Sequence, residues 1–374
     1  MTQLQTIVSL MLALGIAVSA KAEQRAAVDI SSALSGDASG FERALKPRPF
    51  SFPQDHGPHP SFRNEWWYLT GQLEDEQGRH HGFQYTLFRI ALTPKPEPQA
   101  LWPRESIWMA HAAVSHTDQQ VLLHAQRLSH GGAASAGVRA APFRVWLDNW
   151  ILRSTTDTTF FPWNLSLSSK NFALELELQT EKPVVLQGDR GLSAKGGDGN
   201  ASYYYSYTDL QVRGRLDGHA VKGQAWFDRE WSTSVLPDGV AGWDWFSLQL
   251  SDGRQLMLFQ LRSVEAKKTA DSRSGTLIAP DGSSVQLHAS DISMQALEHW
   301  RSQGSQASYP VVWRLDVKGI DQSFIVAATF PEQELLGIVN YWEGAVTVKG
   351  LDTNLPLGRG YLEMTGYAAT RDAD

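Results

Sequence analysis

Residues 64–92 read NEWWYLTGQLEDEQGRHHGFQYTLFRIAL, and residues 242–262 read GWDWFSLQLSDGRQLMLFQLR. Both stretches begin with two tryptophans, pass through an acidic residue and a Gly-Arg pair, and continue into a run that reaches an arginine, Arg89 or Arg262. Alternating apolar and polar residues predict β-strands, and a glycine in a short polar segment predicts a tight turn. The sequence therefore contains the same strand–turn–strand unit twice.

The repeat extends to the ends of both units. Residues 223–228 (GQAWFD) align with residues 358–363 (GRGYLE). We therefore predict two copies of one β domain, at residues 51–232 and 242–374, with residues 236–239 as the joint. The chain has 374 residues, which is enough for two domains that each bury a core.

The remaining segments have the pattern of antiparallel strands. Residues 172–178, 311–317 and 324–330 alternate between the two faces of a sheet. Only residues 292–301 predict a short helix. A meander of many strands avoids exposed edges by closing, so we predict an all-β fold of two tandem antiparallel β-barrels packed together. Such a barrel has room for one small ligand. A pair of packed sandwiches without a cavity is the alternative.

Composition narrows the function. The chain has 14 Trp, 15 Phe and 10 Tyr, which indicates ring-lined surfaces in packed cores or in a cavity for an apolar ligand. A net charge of −7 without a long basic run argues against nucleic-acid binding. The sequence contains no cysteine, which excludes disulfides, thiolate catalysis and Cys-ligated zinc.

The N-terminus predicts secretion. Residues 7–20 form a short apolar run that ends in Ala20-Lys21-Ala22, a small-x-small cleavage pattern. We predict a signal peptide at residues 1–22, cleaved after Ala22, then a mobile leader at residues 23–50. The mature protein is then periplasmic or secreted and has no membrane anchor. The alternative is a membrane anchor, but the run is too short to span a bilayer comfortably.

No motif for a metal or cofactor is present. His111, His116, His124 and His130 lack the spacing of a metal site, and no HExxH motif occurs. The GxSxG elbow, the P-loop and the dinucleotide fingerprint are absent too. We therefore predict no metal and no cofactor.

The best candidate for chemistry is the segment WFDREW at residues 226–231. In a strand, Asp228 and Glu230 share one face and lie about 7 Å apart. In an apolar cavity, lost hydration and mutual repulsion raise one carboxyl pKa, and a neutral acid can protonate an alkene or a carbonyl. Asp228 and Glu230 are therefore candidate catalytic residues. The alternatives are a structural ion-pair network with Arg89 or Arg262, or surface exposure.

Four other positions are weaker candidates. His111 has small neighbours that leave space for catalysis, although a hydrogen-bonded core histidine is the alternative. Tyr203 and Tyr205 share one strand face, opposite Tyr204, and either face suits a ligand wall or plain aromatic packing. Asp244 occupies the place in the second repeat that Glu65 has in the first, which favours an architectural anchor over a ligand-facing role.

Several motifs together carry a family resemblance. They are residues 64–71 (NEWWYLTG), 82–84 (GFQ), 110–113 (AHAA), 204–208 (YYSYT), 223–231 (GQAWFDREW), 242–246 (GWDWF) and 358–367 (GRGYLEMTGY). The chain resembles the carotenoid 1,2-hydratase and AttH-type lipocalin-like family over residues 52–370. The resemblance implies two packed lipocalin-like barrels. Directly after Phe227 the chain has residues 228–231 (DREW) and no histidine, so it departs from the carotenoid hydratases at this segment.

The family includes hydratases, ring-forming pericyclases and secreted members encoded beside ABC transporters, and this chain looks most like the secreted bacterial members. We therefore expect a lipocalin-like protein that binds an isoprenoid- or polyketide-like apolar molecule, with a cofactor-independent hydratase or isomerase as the enzymatic form. The alternatives are a non-catalytic carrier, an accessory protein of an ABC transporter, or a structural partner of an envelope complex. The residues expected at the ligand are Trp67, Gln84, Tyr203, Tyr205, Trp231, Trp243 and Asp244.

Overall fold

The computed structural model describes residues 28–29, 38–94, 105–196, 199–233, 236, 239–263 and 272–367. The predicted signal peptide lies outside these residues. Helical structure in the described ranges consists of short 3-10 segments at Gln54–His56, Gly132–Ala134 and Ala289–Asp291. No helix among the described residues is long and apolar enough to cross a membrane.

Strands make up the rest of the regular structure. The first part of the chain forms β1 (Val28–Asp29), β2 (Asn64–Asp75), β3 (His80–Ala91), β4 (Ser106–His116), β5 (Val121–Ser129), β6 (Ala136–Arg139), β7 (Arg144–Leu147), β8 (Trp150–Ser154), β9 (Trp163–Ser168), β10 (Ala173–Gln179), β11 (Val185–Leu186), β12 (Leu192–Ala194), β13 (Ala201–Leu216) and β14 (His219–Ser232). The second part forms β15 (Val240–Leu250), β16 (Gln255–Ser263), β17 (Ser274–Ile278), β18 (Ser284–Leu287), β19 (Ile292–Arg301), β20 (Ser308–Val317), β21 (Phe324–Ala328), β22 (Glu334–Leu335), β23 (Val339–Gly350) and β24 (Pro356–Met364).

The two parts form two sheets with the same strand order. The first sheet runs β5-β4-β3-β2-β14-β13-β10-β9-β8, followed by β7 and β6, and the second runs β18-β17-β16-β15-β24-β23-β21-β20-β19. Along these paths, neighbouring strands are antiparallel, whereas β1 joins β23 in parallel. The repeat in the sequence is therefore a repeat in topology, in which β2, β3 and β14 correspond to β15, β16 and β24.

The sheets curl into two lipocalin-like units, one a nearly closed barrel and the other a half-barrel. This confirms the predicted all-β fold of two tandem antiparallel barrels. Large apolar side chains fill both interiors, with Trp150 and Trp163 in the first and Trp313 and Trp342 in the second.

The prediction of a helix at residues 292–301 is wrong, because these residues form β19. Ile292 and Met294 are buried, whereas Ser293 and Gln295 are exposed, which is the period of a strand. β19 pairs with β20 from Ile292 to Arg301. This pairing provides hydrogen-bond partners for the backbone N–H and C=O groups of the segment.

Several strands near the middle of each sheet are buried on both faces. In β3, every residue after His80 is buried. One face of these strands looks into its own barrel, and the other packs against the opposite barrel, as Tyr68, Trp226, Trp245 and Tyr361 do in one shared apolar cluster. The barrels therefore meet along an interface made of their central strands.

The described end of the predicted leader packs on the first barrel. Ala44 is buried, and the ring of Phe50 lies 5.6 Å from the ring of Trp231 and 6.3 Å from that of Tyr203. The tight 3-10 turn at Gln54–His56 continues this cover, since the Trp67 indole donates to the carbonyl of His56 at 2.9 Å. Residues 44–56 therefore pack on the core of the first barrel.

Candidate active site

A pocket lies at the interface between the two barrels. It is narrow, with a cavity volume of about 60 Å³, and it opens to solvent. Its lining is mainly aromatic and aliphatic, with one cation and three carboxylates: Trp66, Tyr68, Phe88, Lys195, Tyr204, Asp228, Glu230, Leu236, Trp243, Trp245, Phe259, Leu261 and Glu363. Strands of both barrels supply these residues, so neither repeat builds the pocket alone.

The alternation of β14 divides the segment 226–231 between two environments. Asp228 and Glu230 face the pocket, whereas Phe227 and Trp231 belong to the core of the first barrel. This is the division that the period-two pattern predicts, because successive side chains of a strand point to opposite faces.

Asp228 is a buried carboxyl group held by three hydrogen-bond donors. Tyr204 Oη donates to its Oδ2 at 2.7 Å, and Ser206 Oγ and Trp226 Nε1 donate to its Oδ1 at 2.5 and 2.7 Å. Burial nevertheless raises the pKa of Asp228 from 3.8 to about 7, because lost hydration outweighs the three donors, and the charge of Glu230 adds to the rise. At neutral pH this carboxyl can therefore both give and take a proton.

Glu230 has a different partner. The ammonium group of Lys195 lies 3.1 Å from its carboxylate and 4.4 Å from the centre of the Phe259 ring. The structural network expected with Arg89 or Arg262 is not formed. Arg89 instead pairs with Glu65, and Arg262 lies 3.5 Å from Asp244.

The second barrel supplies the other wall. Trp243 Nε1 donates to Glu363 Oε1 at 2.8 Å, and Trp245 Nε1 donates to Tyr204 Oη at 3.2 Å. The Tyr68 ring meets the Trp245 ring edge-on, with centroids 5.2 Å apart. Of the residues expected at the ligand, Trp243 is therefore in the pocket lining.

His111 and Gln84 face the barrel interface but lie outside this lining. His111 Nδ1 is 2.9 Å from Tyr341 Oη, and burial lowers the pKa of His111 to about 3, so the ring is neutral. The Gln84 amide donates to Thr86 Oγ1 at 2.5 Å and lies 3.4 Å from Tyr341 Oη. The structure does not bring His111 together with Asp228 and Glu230.

The other expected ligand residues lie inside the barrels. Trp67, Tyr203, Tyr205 and Trp231 belong to the core of the first barrel, on the strand faces that point away from the pocket. They are occupied by local contacts: Tyr205 Oη, for example, lies 2.6 Å from His56 Nδ1.

Asp244 is equally enclosed. Gln260 Nε2 and Tyr367 Oη each donate to its carboxylate at 2.8 Å. The equivalence expected between Asp244 and Glu65 is wrong, because the strand register places Asp244 at the position of Trp67. Glu65 is buried between Arg89 and Arg229. Each repeat therefore carries a buried acid beside its first tryptophans, with an arginine against it.

Sequence reasoning missed several pocket residues, namely Tyr68, Lys195, Trp245, Phe259 and Glu363. Tyr68 and Trp245 could have been found from register, because they stand opposite Asp228 and Glu363 in equivalent strand pairs. Lys195 follows the short strand β12 and has no periodic signal. Within the described residues, no group of three or more His, Asp or Glu side chains is placed to hold a metal ion.

Comparison with known proteins identifies the family. A sequence profile of the AttH-like family matches residues 43–367. The chain belongs to the AttH-like family. No curated protein shows significant sequence similarity to it.

Two solved structures resemble this AttH-like chain. A protein from Nitrosomonas europaea assigned to AttH shares 36% identity over 88% of this chain and 100% of its own, with a TM-score of 0.78. Kievitone hydratase from Nectria haematococca shares 15% identity over 87% of this chain and 98% of its own, with a TM-score of 0.63. At this low identity, the second likeness establishes a common fold.

Proposed function

We propose that this AttH-like protein is a cofactor-independent acid–base enzyme, a hydratase or isomerase, that acts on an apolar small molecule in the inter-barrel pocket. The observation that carries the proposal is Asp228, a buried carboxyl with a pKa near 7, hydrogen-bonded to Tyr204 and surrounded by rings. Kievitone hydratase has the same fold, which supports the reaction class as an analogy only.

The catalytic step is a proton transfer from Asp228. The protonated carboxyl gives its proton to an alkene carbon or a carbonyl oxygen of the ligand, and a positive charge develops on the neighbouring carbon. A water molecule adds to that carbon and loses a proton, and Asp228 is protonated again before the next turnover. In an isomerase, the ligand loses a proton from another carbon instead. The faces of Trp66, Trp243 and Trp245 stabilise the intermediate cation through their negative ring surfaces.

The pocket favours a ligand with one polar end. Most of its lining is ring or aliphatic surface, which suits an apolar group of an isoprenoid- or polyketide-like molecule that reaches in through the open mouth. The exceptions are Lys195 and the three acids, and we assign Lys195 to orienting Glu230 and the polar end of the ligand. The apolar run at residues 7–20 supports secretion into the periplasm or beyond.

The first test identifies the ligand by native mass spectrometry of the protein purified from its own host. The retained molecule is then incubated with the protein in heavy water. An acid–base enzyme places deuterium on a ligand carbon, so wild type incorporates it, whereas D228N retains the ligand and incorporates none. D189N, at an exposed acid on the first barrel, is the matched control and behaves as wild type.

Two results would contradict the proposal. If wild type and D228N both retain the molecule and neither exchanges deuterium, the pocket serves a carrier or a transporter accessory protein. If D228N loses the ligand and the fold together, Asp228 is a structural group.

A further inference from the structure

The inter-barrel pocket contains a second acid centre at the position equivalent to Asp228. The repeat aligns residues 223–228 with 358–363, which places Glu363 where Asp228 stands. The strand pairing agrees, because Asp228 lies opposite Tyr68 and Glu363 lies opposite Trp245 in corresponding pairs. Both carboxyl groups line the same pocket, one from each barrel.

Each centre is held in part by an aromatic residue of the other barrel. Trp245 of the second barrel donates to Tyr204, which donates to Asp228. In the reciprocal contact, Tyr68 of the first barrel donates to the carboxyl group of Glu343. The two hydrogen bonds cross the interface in opposite directions, as expected for halves related by an approximate two-fold axis.

The centres differ in the residue beside the acid. On β13, Ser206 is the antiparallel partner of Asp228, whereas on β23 the partner of Glu363 is Glu343. Glu343 is completely buried. Burial raises its pKa well above 4.5, and the negative charge of Glu363 raises it further, although the Tyr68 and Tyr341 hydroxyls oppose the rise. The cross-strand partner of Glu363 is therefore a buried acid whose neutral form is favoured, where the partner of Asp228 is a serine.

We propose that Glu363, coupled to Glu343, is a second acid–base group of the pocket and accepts the proton of the water that attacks the ligand. This inference rests on the proposed function. Asp228 gives a proton to one ligand carbon, the water oxygen bonds to the neighbouring carbon, and the proton released by that water moves to Glu363. The product gains one water, and exchange with bulk water returns a proton to Asp228 and removes one from Glu363. Glu343 is a positioning residue, since it acts through Glu363.

The groups that surround Glu343 define its titration. They are Tyr68 from β2, Tyr341 on its own strand, and Tyr361 and Glu363 from β24, with His111 of β4 against Tyr341. Burial lowers the His111 pKa and raises the pKa of each of the three tyrosines, so these four groups stay neutral around neutral pH. Glu363 is then the charged neighbour to which the Glu343 titration responds.

Infrared spectroscopy tests this coupling without any ligand, because a protonated carboxyl has a band that a carboxylate lacks. In the difference spectrum between wild type and E343Q we expect such a band from Glu343, with a midpoint above the ordinary glutamate value, and D228N should keep it. E363Q keeps the band, but its midpoint moves to lower pH, because the neighbouring negative charge is gone. E177Q, on the outer surface of the first barrel, leaves both features unchanged.

Persistence of the band in E343Q, or an unchanged midpoint in E363Q, overturns the coupled pair. If E343Q does not fold, E343S copies the residue of the first repeat, and E363Q alone still measures the coupling.

The deuterium assay separates this inference from the proposed function. We expect E363Q to retain the ligand and to lower turnover on the order of 100-fold. E363Q at the wild-type rate with D228N inactive refutes the second acid and leaves the proposed function intact. D228N at the wild-type rate refutes the proposed function, whereas the infrared result on Glu343 stands by itself.

Discussion

Trp245 in the second barrel donates a hydrogen bond from its indole nitrogen to the hydroxyl oxygen of Tyr204 in the first barrel, at 3.2 Å. Tyr204 has one hydroxyl hydrogen, and it points to Asp228 Oδ2 at 2.7 Å. Because Trp245 can only donate, it fixes the direction in which Tyr204 donates. The second barrel thereby orients the hydrogen bond at the candidate acid of the first.

Removing that hydroxyl should raise the pKa of Asp228. The Tyr204 hydrogen bond stabilises the carboxylate form and so opposes the effect of burial on the Asp228 pKa. Y204F removes this hydrogen bond and should move the pKa above about 7. Carboxyl-carbon NMR of labelled aspartate measures the midpoint. Y203F is the control, since the Tyr203 hydroxyl donates to the carbonyl of Lys46 on the opposite strand face. An Asp228 midpoint that is the same in Y204F and wild type contradicts this prediction.

Asp228 should make the protein less stable as pH rises. Its pKa is about 7 in the folded state against 3.8 when hydrated, so between these values the folded state holds a proton that the unfolded state lacks. The free energy of unfolding then falls by about 1.4 kcal/mol per pH unit from this group. D228N removes the effect, so the wild-type minus D228N difference in urea-unfolding free energy should decline across that window. A difference that is flat with pH shows that Asp228 is not protonated in the folded protein.

Glu65 should be the acid whose loss costs the most stability. It is fully buried between Arg89 and Arg229, and E65Q leaves both guanidinium groups without their counter-ion. We expect a loss of about 3–5 kcal/mol in unfolding free energy, measured by urea titration. Burial opposes ionisation, but the two arginines prevail and hold the Glu65 pKa well below its usual range. Its contribution is therefore present above pH 4.5 and lost as pH falls.

The matched control for E65Q is E177Q on the barrel surface. Glu177 pairs with the largely exposed Arg213, so its removal should change stability by less than about 1 kcal/mol. Equal losses for E65Q and E177Q would show that the buried cluster does not hold the first barrel.

The contact between the two barrels at Gly82 should be sensitive to one methyl group. A Cβ atom on Gly82 of β3 would lie 2.8 Å from the Cβ of Ala345 on β23, which is closer than two carbons can approach. G82A should therefore cost about 1–3 kcal/mol of unfolding free energy by forcing the barrels apart.

The double variant G82A/A345G tests whether this cost arises at the interface. It restores the room for one Cβ, so it should recover most of the loss, as read from a double-mutant cycle of urea unfolding. Additive losses in the double variant would place the strain within the first barrel instead.

Much of the architecture follows from local sequence pattern. The repeat of 64–92 in 242–262 and the alternation in 226–231 predict the strands and their faces, because side-chain direction in a strand depends only on position. The pattern fails at 292–301, where pairing with β20 decides the structure and local spacing does not. The sequence of one segment does not show which distant strand it pairs with, or in which register.

The site was harder to predict for the same reason. The alternation separates Tyr203 and Tyr205 from Tyr204, but only the packing of the two barrels shows that the Tyr204 face borders the pocket. Glu363 follows from the repeat once Asp228 is chosen, whereas Lys195 arrives from a loop after β12 that has no periodicity. When a site is built from side chains of both repeats, the sequence of neither repeat alone shows a pattern that identifies it.

A two-fold relation between halves of one chain is what the fusion of two identical single-barrel copies would leave behind. In a dimer of two identical copies, every substitution appears in both copies, so the two halves of the inter-barrel pocket stay identical. Fusion releases that constraint, and Ser206 now stands in one copy where Glu343 stands in the other. An asymmetric ligand can then contact different side chains at its two ends, which two identical barrels would not provide.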